Sequence, residues 1–124
     1  MPESDVAQYI RQIVEETRDR KMLWLKTNPT TYVWRKVDGA IVVAQLSIQK
    51  ILKRRPVPAG PGRVSLTTEE TFVFQATELP SGSIRLSLSS EKQPEIQGVL
   101  KELFDTISAN IEREGLDFLK EVIS

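Results

Sequence analysis

Apolar residues recur with two different periods along the chain, and the change of period marks the elements. From Ser4 to Asp19, Val6, Tyr9, Ile10, Ile13, Val14 and Thr17 fall at helical spacing with Gln, Arg and Glu between them. The pattern predicts an amphipathic helix over 4–19, with Ser4 as N-cap, Asp5 favoured by the helix dipole, and Arg18, Arg20 and Lys21 closing its last turn. Met22 to Lys26 is a short apolar piece that suits an edge strand, ended by Thr27-Asn28-Pro29. Thr31 to Val37 and Ala40 to Ile51 are β-rich runs around Asp38-Gly39, a strong hairpin signal. A strict two-residue turn there pairs Val37 with Ala40, Arg35 with Val42 and Trp34 with Val43. It places Val33 with Val42, Ala44, Leu46 and Ile48, and Tyr32 and Trp34 on the opposite face with Ile41, Val43, Gln45 and Ser47.

Residues 53–69, KRRPVPAGPGRVSLTTE, hold three prolines and two glycines, which argues for a flexible basic loop. Thr71 to Leu79 and Ile84 to Ser90 form a second hairpin. Phe72, Phe74 and Ala76 share a face with Ile84, Leu86 and Leu88 only across an odd loop, Ser81-Gly82-Ser83 with Gly82 left-handed. Pro94 suits a first helical position. Ile96, Val99, Leu100, Leu103, Phe104, Ile107 and Ile111 then make a stripe that resumes after Gly115 with Leu116, Phe118, Leu119, Val122 and Ile123. Unbroken, 94–123 would measure about 45 Å at ~1.5 Å per residue, against a radius of gyration of about 14 Å for a domain of this size. Gly115 either bends the helix or lets its last turns project.

The predicted fold is thus one α+β domain, residues 1–124: an N-terminal helix, a four- to five-stranded antiparallel meander, and a long C-terminal helix across the Val42/Phe74/Leu86 face. In element order this is loosely similar to the small homodimeric chaperones of type III secretion, which carry a further helix where this chain has its Pro/Gly segment. No motif carries the likeness, so it implies no residue roles.

Composition narrows the function. With 124 residues, no His and no Cys, the chain lacks disulfides, thiolate chemistry and the usual zinc or copper ligand sets. It also lacks the general base most used near neutral pH. Carboxylate pairs at Glu15/Glu16, Glu69/Glu70, Glu112/Glu114 and Asp117/Glu121 sit among Lys and Arg and read as solvated faces. Asp38 reads as a turn residue. Gly60-Pro61-Gly62 matches no phosphate loop, because proline removes a donor N–H; no calcium-loop spacing occurs. A non-enzyme without cofactor or metal is expected. The acidic start of the chain and apolar runs no longer than Ala40–Ala44 lead to the expectation of a cytoplasmic protein with no membrane contact.

Charge is balanced, 17 basic against 17 acidic residues, but unevenly placed. Residues 1–38 carry seven bases and six acids, 39–68 five bases and no acid, and 69–124 five bases and eleven acids. Lys50, Lys53, Arg54, Arg55 and Arg63 are the candidate nucleic-acid contacts, with Tyr32 and Trp34 as a stacking platform. The bland alternative is a solvated loop. Trp24, Tyr32 and Trp34 are either core beneath the first helix or interface anchors. The surplus of apolar surface favours a protein-interaction module that self-associates as a homodimer, in the manner of an adaptor or chaperone. Its expected contacts are Tyr32, Trp34, Ile41, Val43, Leu116, Phe118, Leu119, Val122 and Ile123.

Overall fold

The computed structural model describes residues 2–124, with side chains from Asp5 onward. Helix α1 spans Pro2–Arg18. Strands β1 (Leu25–Asn28), β2 (Thr31–Asp38), β3 (Ile41–Gly60), β4 (Arg63–Glu78) and β5 (Ser83–Ser89) follow. A 3-10 turn, Pro94–Ile96, leads into helix α2, Gln97–Ile123. The sheet is an antiparallel meander in the order β1-β2-β3-β4-β5, so the α+β arrangement expected from the sequence is the one observed. The expected cap at Ser4 gives way to a helix that starts at Pro2; the Ser4 side chain lies outside the described residues.

Both helices lie on one face of the sheet. Ile48, Phe72, Phe74 and Leu88 form the floor of the core, and Val99, Leu100, Leu103, Phe104 and Ile107 of α2 cover it. Ile10 and Val14 of α1 complete the layer. The Phe104 ring sits 4.9 Å from that of Tyr32 and 5.6 Å from that of Phe72, tilted against both, the arrangement aromatic quadrupoles favour. Polar contacts fix the edges of this layer. The Trp24 indole N–H donates to Thr17 Oγ1 at 3.0 Å, the Asn110 amide to the Thr17 carbonyl at 2.6 Å, and Tyr32 O–H to Ser108 Oγ at 3.0 Å. Trp24 and Met22 are core residues, and the first edge strand begins only at Leu25.

The first hairpin departs from the expected register. Its turn is Gly39-Ala40, closing the pair Asp38/Ile41, and Gly39 has φ 65°. A turn with positive φ at its first central position alone needs glycine only there, whereas a turn on Asp38-Gly39 would force positive φ on Asp38 as well. A bulge between Lys36 and Val37 then leaves one residue of β3 extra, and Trp34 pairs with Leu46, Tyr32 with Ile48. One inserted residue moves every later side chain to the other face. Tyr32 (3% exposed) and Trp34 consequently pack on the core face rather than opposite it.

In the second hairpin the expected face is found for Leu88 and Leu86, which pair with Phe74 and Ala76, but not for Ile84, which pairs with Thr77 on the other face and is exposed. The parity comes from a different device, a four-residue loop at 79–82 combined with a bulge at Ala76/Thr77. Gly82 is left-handed, with φ 78°. The sheet face away from the helices carries Gln45, Ser47, Gln75, Thr77, Ser87 and Ser89 together with Val33, Val73 and Ile84, a mixed face.

The segment 53–69 is the largest correction: it is no loop. Strands β3 and β4 continue through it as a two-stranded arm, paired residue by residue from Leu52/Glu70 to Pro58/Val64 and closed by Pro61-Gly62. Prolines survive in this ladder because of where their missing N–H would point. The Lys50 N–H donates to the Thr30 carbonyl, toward β2. Pro56 and Pro58 share that parity, and β2 pairs with β3 no further than Gln49. Their nitrogens face an open edge, where a ladder loses nothing.

Phe72, fully buried, and Gln75, on the outer face, separate the two sides of β4. Phe72→Ala is expected to cost about 3–5 kcal/mol, and Gln75→Ala no more than ~0.5 kcal/mol, measured by urea unfolding.

Candidate interaction surface

Helix α2 is continuous through Gly115. At ~1.5 Å per residue its 27 residues span about 40 Å, and its last buried residue is Ile107. Ile111 is half-buried, and from Glu112 to Ile123 every residue is exposed. Phe118 and Val122 follow Ile107 and Ile111 on the same stripe, while Leu119, Ile123 and Leu116 lie progressively further around the helix, Leu116 nearly opposite Phe118. All five are at least 52% exposed. A lone exposed leucine needs no explanation, but five large apolar side chains within about two turns make an apolar surface around much of the helix end. Among the described residues nothing covers it.

The arm carries a second such surface, which the sequence reading missed. Ile48/Phe74 and Lys50/Phe72 face α2, and stepping by two along the ladder brings Leu52, Pro56/Leu66 and Pro58/Val64 to that same face. The arm's apolar side is therefore the core face of the sheet prolonged past the helix that covers it. Leu52, Val64 and Leu66 are 57%, 72% and 62% exposed. The period-two alternation of Leu52, Arg54, Pro56, Pro58 and of Val64, Leu66, Thr68 was the available signal, masked by the prolines.

The expected contact residues divide. Leu116, Phe118, Leu119, Val122 and Ile123 share the exposed end of α2. Ile41 is exposed at the far hairpin tip, Val43 is half-buried beside the bulge, and Tyr32 and Trp34 belong to the core layer. No single surface gathers all nine.

The basic residues are partly neutralised. Lys50 sits 3.6 Å from Glu70 and over the Phe104 ring, Lys53 2.6 Å from Glu91, and Arg55 2.9 Å from Glu69. Arg54 and Arg63 make no ion pair among the described residues. The buried Tyr32 offers no stacking platform. Two open grooves of about 550 and 360 Å³ flank α2, one lined by Arg18, Lys101, Glu102 and Asp105, the other by Arg55, Glu69, Glu70 and Glu91. Their charged side chains are largely paired with one another: Arg18 with Glu102, Lys101 with Glu70 and Asp105. Asp105 and then Glu70 hold the Lys101 ammonium above its usual range. Among the described residues, no three carboxylates converge as a metal site would require, and no helix is long and apolar enough to cross a membrane. No protein family, curated protein or solved structure matches the chain.

The Lys53 hydrogen bond, reinforced by its charge, lowers the Glu91 carboxyl below its ordinary value. A carboxylate depressed in the folded state stabilises it above the unfolded pKa, and that contribution is lost as pH falls through the lowered value. Titration of the Glu91 carboxyl carbon by NMR should therefore place it below the usual carboxylate range. Lys53→Met should return it upward.

Proposed function

We propose that this chain is a non-enzymatic protein-interaction module, adaptor- or chaperone-like, that associates with itself through the last turns of α2. The supporting observation is the apolar surface of Leu116, Phe118, Leu119, Val122 and Ile123 on a helix that outruns its core. Contiguous apolar area of this kind is costly to leave in water and is typical of a contact surface. Phe118, one turn before Val122 and in line with the buried stripe, is the one aromatic among the five and has the character of an anchor.

Nucleic-acid binding through Lys50, Lys53, Arg54, Arg55 and Arg63 is the weaker reading. Three of these five already face carboxylates, and a passing phosphate backbone would have to displace them.

Sedimentation equilibrium over a range of concentrations tests the proposal. The chain should be dimeric at micromolar concentrations. Phe118→Asp should weaken association by at least about 2 kcal/mol, roughly 30-fold in Kd, with the far-UV circular dichroism unchanged. A chain that is monomeric throughout would overturn the reading.

A further inference from the structure

We infer that the tail of α2 in each copy of the chain lies on the β3–β4 arm of a second copy, so that two copies exchange tail and arm about a two-fold axis. The inference rests on the self-association proposed above and specifies which surfaces meet.

The two unpartnered surfaces are complementary in kind. The arm is the core face of a sheet lacking the helix that covers the rest of it, and through Phe118 and Val122 the tail prolongs the core stripe of a helix lacking the sheet beneath it. Laying one on the other prolongs the helix-on-sheet layer already built by Phe104 on Phe72. They are also comparable in reach. The tail from Glu112 to Ile123 is about 18 Å long at ~1.5 Å per residue, and the arm from Leu52 to Gly60 about 30 Å at ~3.3 Å per residue.

Charge follows the same complementarity. Residues 52–68 carry Lys53, Arg54, Arg55 and Arg63 and no acid. The tail carries Glu112, Glu114, Asp117 and Glu121 against Arg113 and Lys120. Arg54 lies on the apolar, helix-facing side of the arm and has no ion-pair partner among the described residues, so it is placed to meet an acidic helix. Opposite fields steer such surfaces together and oppose tail-on-tail contact between like charges.

A chain cannot satisfy its own arm. The arm leaves the core beside the start of α2, where the Gln97 amide donates to the Glu70 carbonyl and Lys101 lies 3.4 Å from the Glu70 carboxylate. The tail leaves from the opposite end of the same continuous helix, beyond Trp24 and Thr17. Two copies with antiparallel α2 helices bring each tail to the other's arm, which is the condition for a closed, two-fold contact. Made once, a contact of three helical turns is small beside the ~800 Å² per partner of a stable interface; the two-fold makes it twice.

Because the chain has no native cysteine, cross-linking tests the pairing cleanly. Leu66→Cys and Phe118→Cys chains, mixed and mildly oxidised, should give a dimer joined 66 to 118. The chain bearing both changes should close into a dimer with two bonds rather than a ladder. Leu66→Asp, at an exposed site, should weaken self-association at least tenfold while leaving the circular dichroism spectrum unaltered. Dimers joined only 118 to 118, or a Leu66→Asp chain that dimerises normally, would overturn this pairing and leave self-association through α2 standing. Open ladders from the double variant would overturn the two-fold. A monomeric parent chain would overturn both readings.

Discussion

The packing of Val99, Leu100, Leu103, Phe104 and Ile107 on Ile48, Phe72, Phe74 and Leu88 is the contact on which the other elements depend. It orients α2 across the sheet, and α1 and Trp24 then fill the remaining flank through Ile10, Val14 and the Thr17 hydrogen bonds. The contact uses only about two and a half turns of a helix of more than seven, and a few residues of each central strand. A 20-residue β3 extends roughly 65 Å at ~3.3 Å per residue. A core of this size covers only part of either element. What remains, the tail and the arm, follows from that mismatch of extents rather than from any separate motif.

The sheet's register shows how single residues decide which side chains the core receives. Two bulges, at Lys36/Val37 and at Ala76/Thr77, each flip the parity of a hairpin. The first brings Tyr32 and Trp34 onto the helix side, where Tyr32 stacks on Phe104 and reaches Ser108. The second brings Leu88 beneath the same helix and leaves Leu86 on that face at its exposed margin. Without them, β2 or β5 would present its largest apolar residues to the opposite face, beside Gln45, Ser47 and Gln75. Burial of those residues outweighs the ladder hydrogen bonds that each bulge disturbs.

Element order, strand number, both helices and the projecting stripe from Leu116 to Ile123 were legible in the sequence, because each is written over many residues as a period. What escaped was decided locally. The bulge beside Val37 has no sequence signature, and Asp38-Gly39 resembled a turn one residue before the real one at Gly39-Ala40. The arm escaped because proline is counted against strands in general, whereas the prohibition holds only where a neighbour would receive the N–H. Pro56 and Pro58, two apart and of the same parity as Lys50, satisfy that condition on the open side of β3. Two prolines at odd spacing could not both have done so. The even spacing was the readable sign of a strand.

The charge balance takes on a structural meaning in this light. Seventeen bases offset seventeen acids across the chain, but local pairing cancels only part of the asymmetry. At the arm's base, Lys50, Lys53 and Arg55 are held by Glu70, Glu91 and Glu69, and these pairs tie the arm to β4 and to the turn before α2. Being exposed, they contribute little to stability individually. Arg54 and Arg63 stay outside that network, as do the acids of the α2 tail. The residual charge therefore sits on the two segments that also expose apolar surface, positive on one and negative on the other. A surface meant only for solubility would intersperse the signs. Separation of the signs onto two unpartnered apolar segments instead gives each a preferred counterpart, and the same chain carries both.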